Sequence, residues 1–106
     1  QAWDNLDEIA AVPGIDIILV GPLDLSASLG LAGQTGSKEV QQIMEEVPKR
    51  LEGTGVVVGT TLADPTEIKQ KIDWGYRFLN VGNPLAFGVQ AVTDHVRDLR
   101  EYAAKR

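Results

Sequence analysis

The chain has 106 residues, 10 Lys and Arg against 15 Asp and Glu, a formal net charge of -5 and no cysteine. Its length suits one small domain, and its acidic balance argues against nucleic acid or an anionic membrane as a partner. Disulfides, a thiolate nucleophile and a Cys-based zinc site are excluded, and no apolar run approaches the roughly 20 residues that a membrane span needs.

The sequence opens on Gln1 rather than Met, without a basic-then-apolar signal segment, so its natural start is expected elsewhere. Trp3, Leu6 and Ile9-Ala10 fall at helical spacing, and Val12-Pro13-Gly14 stops that helix. Ile15 to Val20 is short, β-branched and almost wholly apolar, which predicts a strand buried on both faces. A glycine-containing loop runs from Leu23 to Gly36, with room for a helical turn over Leu25 to Leu29. Ser37 can cap a helix with a stripe at Val40, Ile43, Met44, Val47 and Leu51. Pro48 removes the bond to the Met44 carbonyl, so a kink is expected there.

Val56 to Leu62 reads as a second buried strand. Asp64-Pro65-Thr66-Glu67 then has the form of a capping box with proline in the first helical position. Ile68 and Ile72 are expected to face inward, and Gly75 ends the helix. Arg77 to Gly82 is the third strand, and Asn83-Pro84 starts the last helix. Leu85, Val89, Val92, Val96, Leu99 and Ala103 form a narrow heptad seam on it, suited to packing on another helix.

Strands alternating with helices predict an α/β fold of βα units around a parallel sheet. Such sheets take ligands at the carboxyl ends of their strands, which points to the segments after Val20-Gly21, Val58-Gly59 and Val81-Gly82. Asp24 lies in the first of these. Its carboxylate suits a hard divalent cation, or it simply caps the turn that follows. Asn83 can reach the third mouth, although helix capping explains it equally well. His95, the only histidine, falls on the last helix, far from any mouth. Lys38, Lys49, Lys69, Lys71 and Lys105 also fall on helices, so no Schiff-base lysine is placed at a strand end.

Gly21-Pro22-Leu23-Asp24-Leu25-Ser26, ending at Gly30, resembles the GPADLSxxxG segment of the HpcH/HpaI aldolase family. The run from Asn5-Leu6-Asp7-Glu8-Ile9 to Val12-Pro13-Gly14-Ile15-Asp16 is similar to the approach to that segment. The stretch from Gly59 through Trp74-Gly75 to Val81-Gly82 resembles the section after it, so the likeness covers nearly the whole chain.

The resemblance implies a (β/α)8 TIM barrel of which residues 1–106 are a single, incomplete domain: the last three strands and a long C-terminal helix. It also implies metal-dependent cleavage of 2-keto (hydroxy) acids to pyruvate and an aldehyde. Asp24 would be one of two carboxylate ligands of Mg2+, Mn2+ or Co2+. The second ligand, a glutamate, is expected two or three residues before Gln1, and the family's histidine and arginine also lie upstream. Gly21, Pro22 and Leu23 match the stretch that holds the pyruvate carboxylate. Thr61 stands where relatives carry an apolar wall for the pyruvate methyl, which puts the substrate in question; its β-branch also suits a strand.

A cytoplasmic homo-oligomer, a hexamer in the family, is a further implication, with the last helix swapped onto a neighbour or packed on its own barrel. Two alternatives remain beside the aldolase: a truncated, non-catalytic module associating through its sheet edges and last helix, and a related enolate-forming decarboxylase or condensing enzyme.

Overall fold

The computed structural model describes residues Gln1 to Arg106. Three strands, β1 (Ile17–Val20), β2 (Val57–Thr61) and β3 (Phe78–Asn80), pair in parallel in the order β1-β2-β3. The register sets Leu19 beside Gly59 and Gly59 beside Phe78; one step on, Val20 faces Thr60 and Thr60 faces Leu79. Five helices accompany them: α1 (Leu6–Ala10), α2 (Pro22–Ser28), α3 (Lys38–Arg50), α4 (Pro65–Trp74) and α5 (Pro84–Ala104).

The expected alternation of helix and strand is present, and the capping chemistry largely follows the sequence. Ser37 accepts from the Val40 N–H at the start of α3. Asp64 accepts from the N–H groups of Thr66 and Glu67 at the start of α4, and Asn83 accepts from those of Leu85 and Ala86 at the start of α5. The reciprocal Glu67 arm of a capping box is not formed. Trp3 precedes α1 in a turn rather than lying on the helix.

The apolar stripe of α3 covers one face of the sheet. Val40, Met44, Val47 and Leu51 are buried with Leu6, Val58 and Tyr76, and Ile18, Val20 and Leu79 pack against that cluster. Each such side chain contributes about 1.5–3 kcal/mol on burial. α3 runs unbroken through Pro48 to Arg50. The Met44 carbonyl, which loses its helical donor to that proline, instead accepts from the buried Tyr76 hydroxyl at 2.8 Å. A carbonyl buried without a donor would cost about 1–3 kcal/mol.

Burial on both faces, expected of the strands, is not found. Residues of alternate parity point away from α3: Leu19 is 53% exposed and Phe78 50%, with Ile17 and Val57 also open. A parallel sheet normally has both faces covered, so this layer presents an unpartnered apolar face. Ile72, expected inward, is likewise exposed. The seam of α5 meets nothing either: no residue of the helix is buried. Projecting α5 gives the molecule its long axis, with extents of 65 × 28 × 21 Å.

The ion pair Lys49–Glu45 forms as the i,i+4 spacing suggests, at 2.8 Å. Arg50 does not pair with Glu46. It reaches Asp7 at 3.0 Å, donates to the Trp3 carbonyl and lies 4.4 Å over the Trp3 ring, tying the first turn and α1 to the end of α3.

Candidate functional site

The carboxyl ends of the strands are built from Gly21, Thr61 and Asn80. Thr61 and Asn80 are register partners. Gly21 follows Val20, the partner of Thr60, and so extends the same row on β1. Its backbone remains extended, at φ -90° and ψ 110°. Strand parity therefore aims position 21 at the open face, with Leu19 and Ile17 behind it.

Asp24 reaches back into that position. Its Oδ2 lies 2.8 Å from the place a Cβ on Gly21 would occupy. A side chain at position 21 would have to displace the carboxylate, which fills that space. The carboxylate is exposed and forms no ion pair within the chain. It does not cap α2: the cap position is Gly21, and no side chain bonds the first-turn N–H groups. The capping alternative for Asp24 is thereby set aside. Pro22 occupies the first helical position and is buried, whereas Leu23 is exposed. As first-turn groups, the N–H groups of Leu23 and Asp24 have no intrahelical acceptor.

An exposed, uncompensated carboxylate is a donor of the type that hard divalent ions prefer. Asp24 thus fits one position in such an ion's shell. A complete donor set is not gathered within residues 1–106, since no three His, Cys, Asp or Glu side chains converge.

The other glycines of the strand ends serve packing. Gly59 lies inside β2 rather than after it, and a Cβ there would come within 2.7 Å of the Phe78 carbonyl and 3.0 Å of the Leu19 and Phe78 side chains. Phe87 occupies the space beside Gly82. Thr60 turns inward, fully buried, and donates to the Val20 carbonyl at 2.8 Å, locking β2 to β1. Thr61, one residue on, is exposed at the mouth. Asn83 is occupied in capping α5, and His95 is exposed on that helix.

Two groups escaped the sequence reading. Asn80 joins the mouth row; its parity with Phe78, two residues earlier, was the available signal. Lys71 is only 1% exposed, and its ammonium donates to Gln41 and Gln70 and lies 3.9 Å from the Trp74 ring. Burial lowers its pKa from the ordinary lysine value, partly opposed by Glu67. It ties α4 to α3, away from the strand mouths. Burial also pushes the Tyr76 phenol upward.

A family model described as HpcH/HpaI aldolase/citrate lyase matches residues 1–90. The 2-keto-3-deoxy-L-rhamnonate aldolase of Escherichia coli K12 is 44% identical over 81 residues, which is 76% of this chain and 30% of that protein. An HpcH/HpaI aldolase/citrate lyase family protein from Burkholderia cenocepacia superposes with a TM-score of 0.85 at 33% identity, over 92% of this chain and 38% of its own. The HpcH/HpaI aldolase of Desulfitobacterium hafniense gives 0.83 at 31% identity, over 94% and 39%. The chain therefore spans under a third of that curated relative's length.

Proposed function

This chain belongs to the HpcH/HpaI aldolase/citrate lyase family, and from that we propose that residues 1–106 form the C-terminal part of a (β/α)8 barrel lyase. The reaction is cleavage of a 2-keto hydroxy acid to pyruvate and an aldehyde. The observation that carries this reading is the Asp24 carboxylate, exposed, unpaired and lodged over Gly21 on the open face of the sheet. The apolar residues behind it, Leu19, Val57 and Phe78, suit the packed interior of a closed barrel.

Asp24 would supply one ligand of a divalent ion, with the other carboxylate contributed from outside residues 1–106. That ion would supply Lewis-acid polarisation of the substrate's keto group. Gly21 leaves the carboxylate room to face the substrate. The backbone of Gly21, Pro22 and Leu23 would help hold the substrate carboxylate, the role that the matching family stretch implies. Thr61 presents a methyl and a hydroxyl beside it. No lysine stands at the mouth, so imine formation is not served by this part of the barrel. The proton acceptor, like the second carboxylate, belongs to other strands.

Release of pyruvate from 2-keto-3-deoxy acids by the full-length protein, coupled to lactate dehydrogenase, tests this. Activity that a chelator abolishes and Mg2+, Mn2+ or Co2+ restores is the expected result. Inactivity with every such acid and ion tried would sink the reading. Oxaloacetate as a competing substrate separates an aldolase from a decarboxylase.

A homo-oligomer is a second element of the proposal. Exposure along the α5 seam, from Leu85 at 75% to Leu99 at 56%, favours a neighbouring surface for that helix. A non-catalytic, associating module would share this feature but would bind no metal through Asp24.

A further inference from the structure

We propose that Asn80, with Thr61, reads hydroxyl groups on the aldehyde half of the substrate; this rests on the aldolase reading above. The inference comes from the composition of the open face. From its base upward that face is apolar: Ile17, Val57, Leu19 and Phe78. It becomes polar only in its last row, where the Asp24 carboxylate over Gly21, Thr61 and Asn80 lie side by side on three adjacent strands. Neighbouring strands are about 4.8 Å apart. Thr61 is thus one spacing from the carboxylate-bearing position and Asn80 two, in a line leading away from it.

Asn80 is held in one orientation. Its Oδ1 accepts from the Gly82 N–H at 3.1 Å, which fixes the carboxamide with its NH2 group directed elsewhere. Asn80 is exposed, and its NH2 group donates to no other group of the chain. The Thr61 hydroxyl, unlike that of Thr60, is not drawn into bonding between strands. The pair offers donors and an acceptor without charge. A neutral hydroxylated chain matches it. A second carboxylate would find no counter-charge in this row, and a plain alkyl chain would leave both groups without partners. With the pyruvate half at Asp24, the growing or departing aldehyde lies along the row towards β3.

The test compares aldol addition of pyruvate to glycolaldehyde and to acetaldehyde, which differ by one hydroxyl, in the full-length protein. Exchange of the pyruvate methyl protons with deuterated solvent is measured first on the unaltered protein. Failure of that exchange with every divalent ion refutes the aldolase reading and this inference with it. Where exchange occurs, Asn80→Ala and Thr61→Val should each lower the kcat/KM ratio of glycolaldehyde to acetaldehyde by about three- to tenfold, the worth of one hydrogen bond. A purely structural role would depress both acceptors alike. An unchanged ratio in both variants overturns the inference while leaving the aldolase reading intact. Should Asn80→Ala fail to fold, the ratio in Thr61→Val decides, since valine keeps the β-branch that the strand prefers.

Discussion

Replacing Tyr76 with Phe removes a single oxygen from a fully buried ring whose hydroxyl donates to the Met44 carbonyl at 2.8 Å. In an ordinary helix that carbonyl would keep its N–H donor four residues on. Here the residue is Pro48, which has none. Tyr76→Phe therefore leaves a buried acceptor with no donor, at a cost of about 1–3 kcal/mol. Pro48→Ala restores an N–H to the helix. In that background the carbonyl keeps a bond when the hydroxyl goes, and the same Tyr76→Phe change should cost at least 1 kcal/mol less. Guanidinium unfolding of the full-length protein and its three variants, followed by tryptophan fluorescence, gives the coupling energy directly. Equal costs of Tyr76→Phe in the two backgrounds would refute the claim that the phenol stands in for the missing helical donor.

Gly21→Ala places a methyl 2.8 Å from the Asp24 Oδ2. We expect it to displace the carboxylate and to weaken divalent-ion binding at least tenfold by titration calorimetry, with the melting temperature changed by only a few degrees. Lys71 gives a pH signature. Its folded pKa lies below 10.5, so between the two values the unfolded chain binds more protons and stability rises with pH. That gain is complete above 10.5 and lost as pH falls through the folded pKa. Lys71→Met should flatten this slope in urea melts taken from pH 7 upward; an unchanged slope would assign it to another group. The raised Tyr76 pKa acts in the opposite sense, with stability present below pH 10 and lost above it.

The sequence carried the order of elements because each start and stop is local chemistry. Ser37, Asp64 and Asn83 all cap the helices expected of them. The path through Pro48 was not legible, because its compensation comes from Tyr76, 28 residues away. Exposure of Leu19 and Phe78 was equally hidden: an apolar run by itself does not say which of its two faces is covered. The candidate site was legible where a motif carried it, at Gly21 to Asp24. Gly59 was misplaced as a strand end because close packing by Leu19 and Phe78 leaves no local trace. Asn80 shares the parity of Phe78 in the sequence, but its place beside Thr61 depends on register, which only the paired strands fix.

Binding of Mn2+ to the full-length protein, followed by loss of the free-ion electron paramagnetic resonance signal, tests the role of Asp24 most directly. One ion per chain is expected in the unaltered protein, and Asp24→Ala should lower its affinity at least a hundredfold while the far-ultraviolet circular dichroism spectrum is unchanged. Equal affinity in the two proteins would contradict the placement of the metal at this strand mouth.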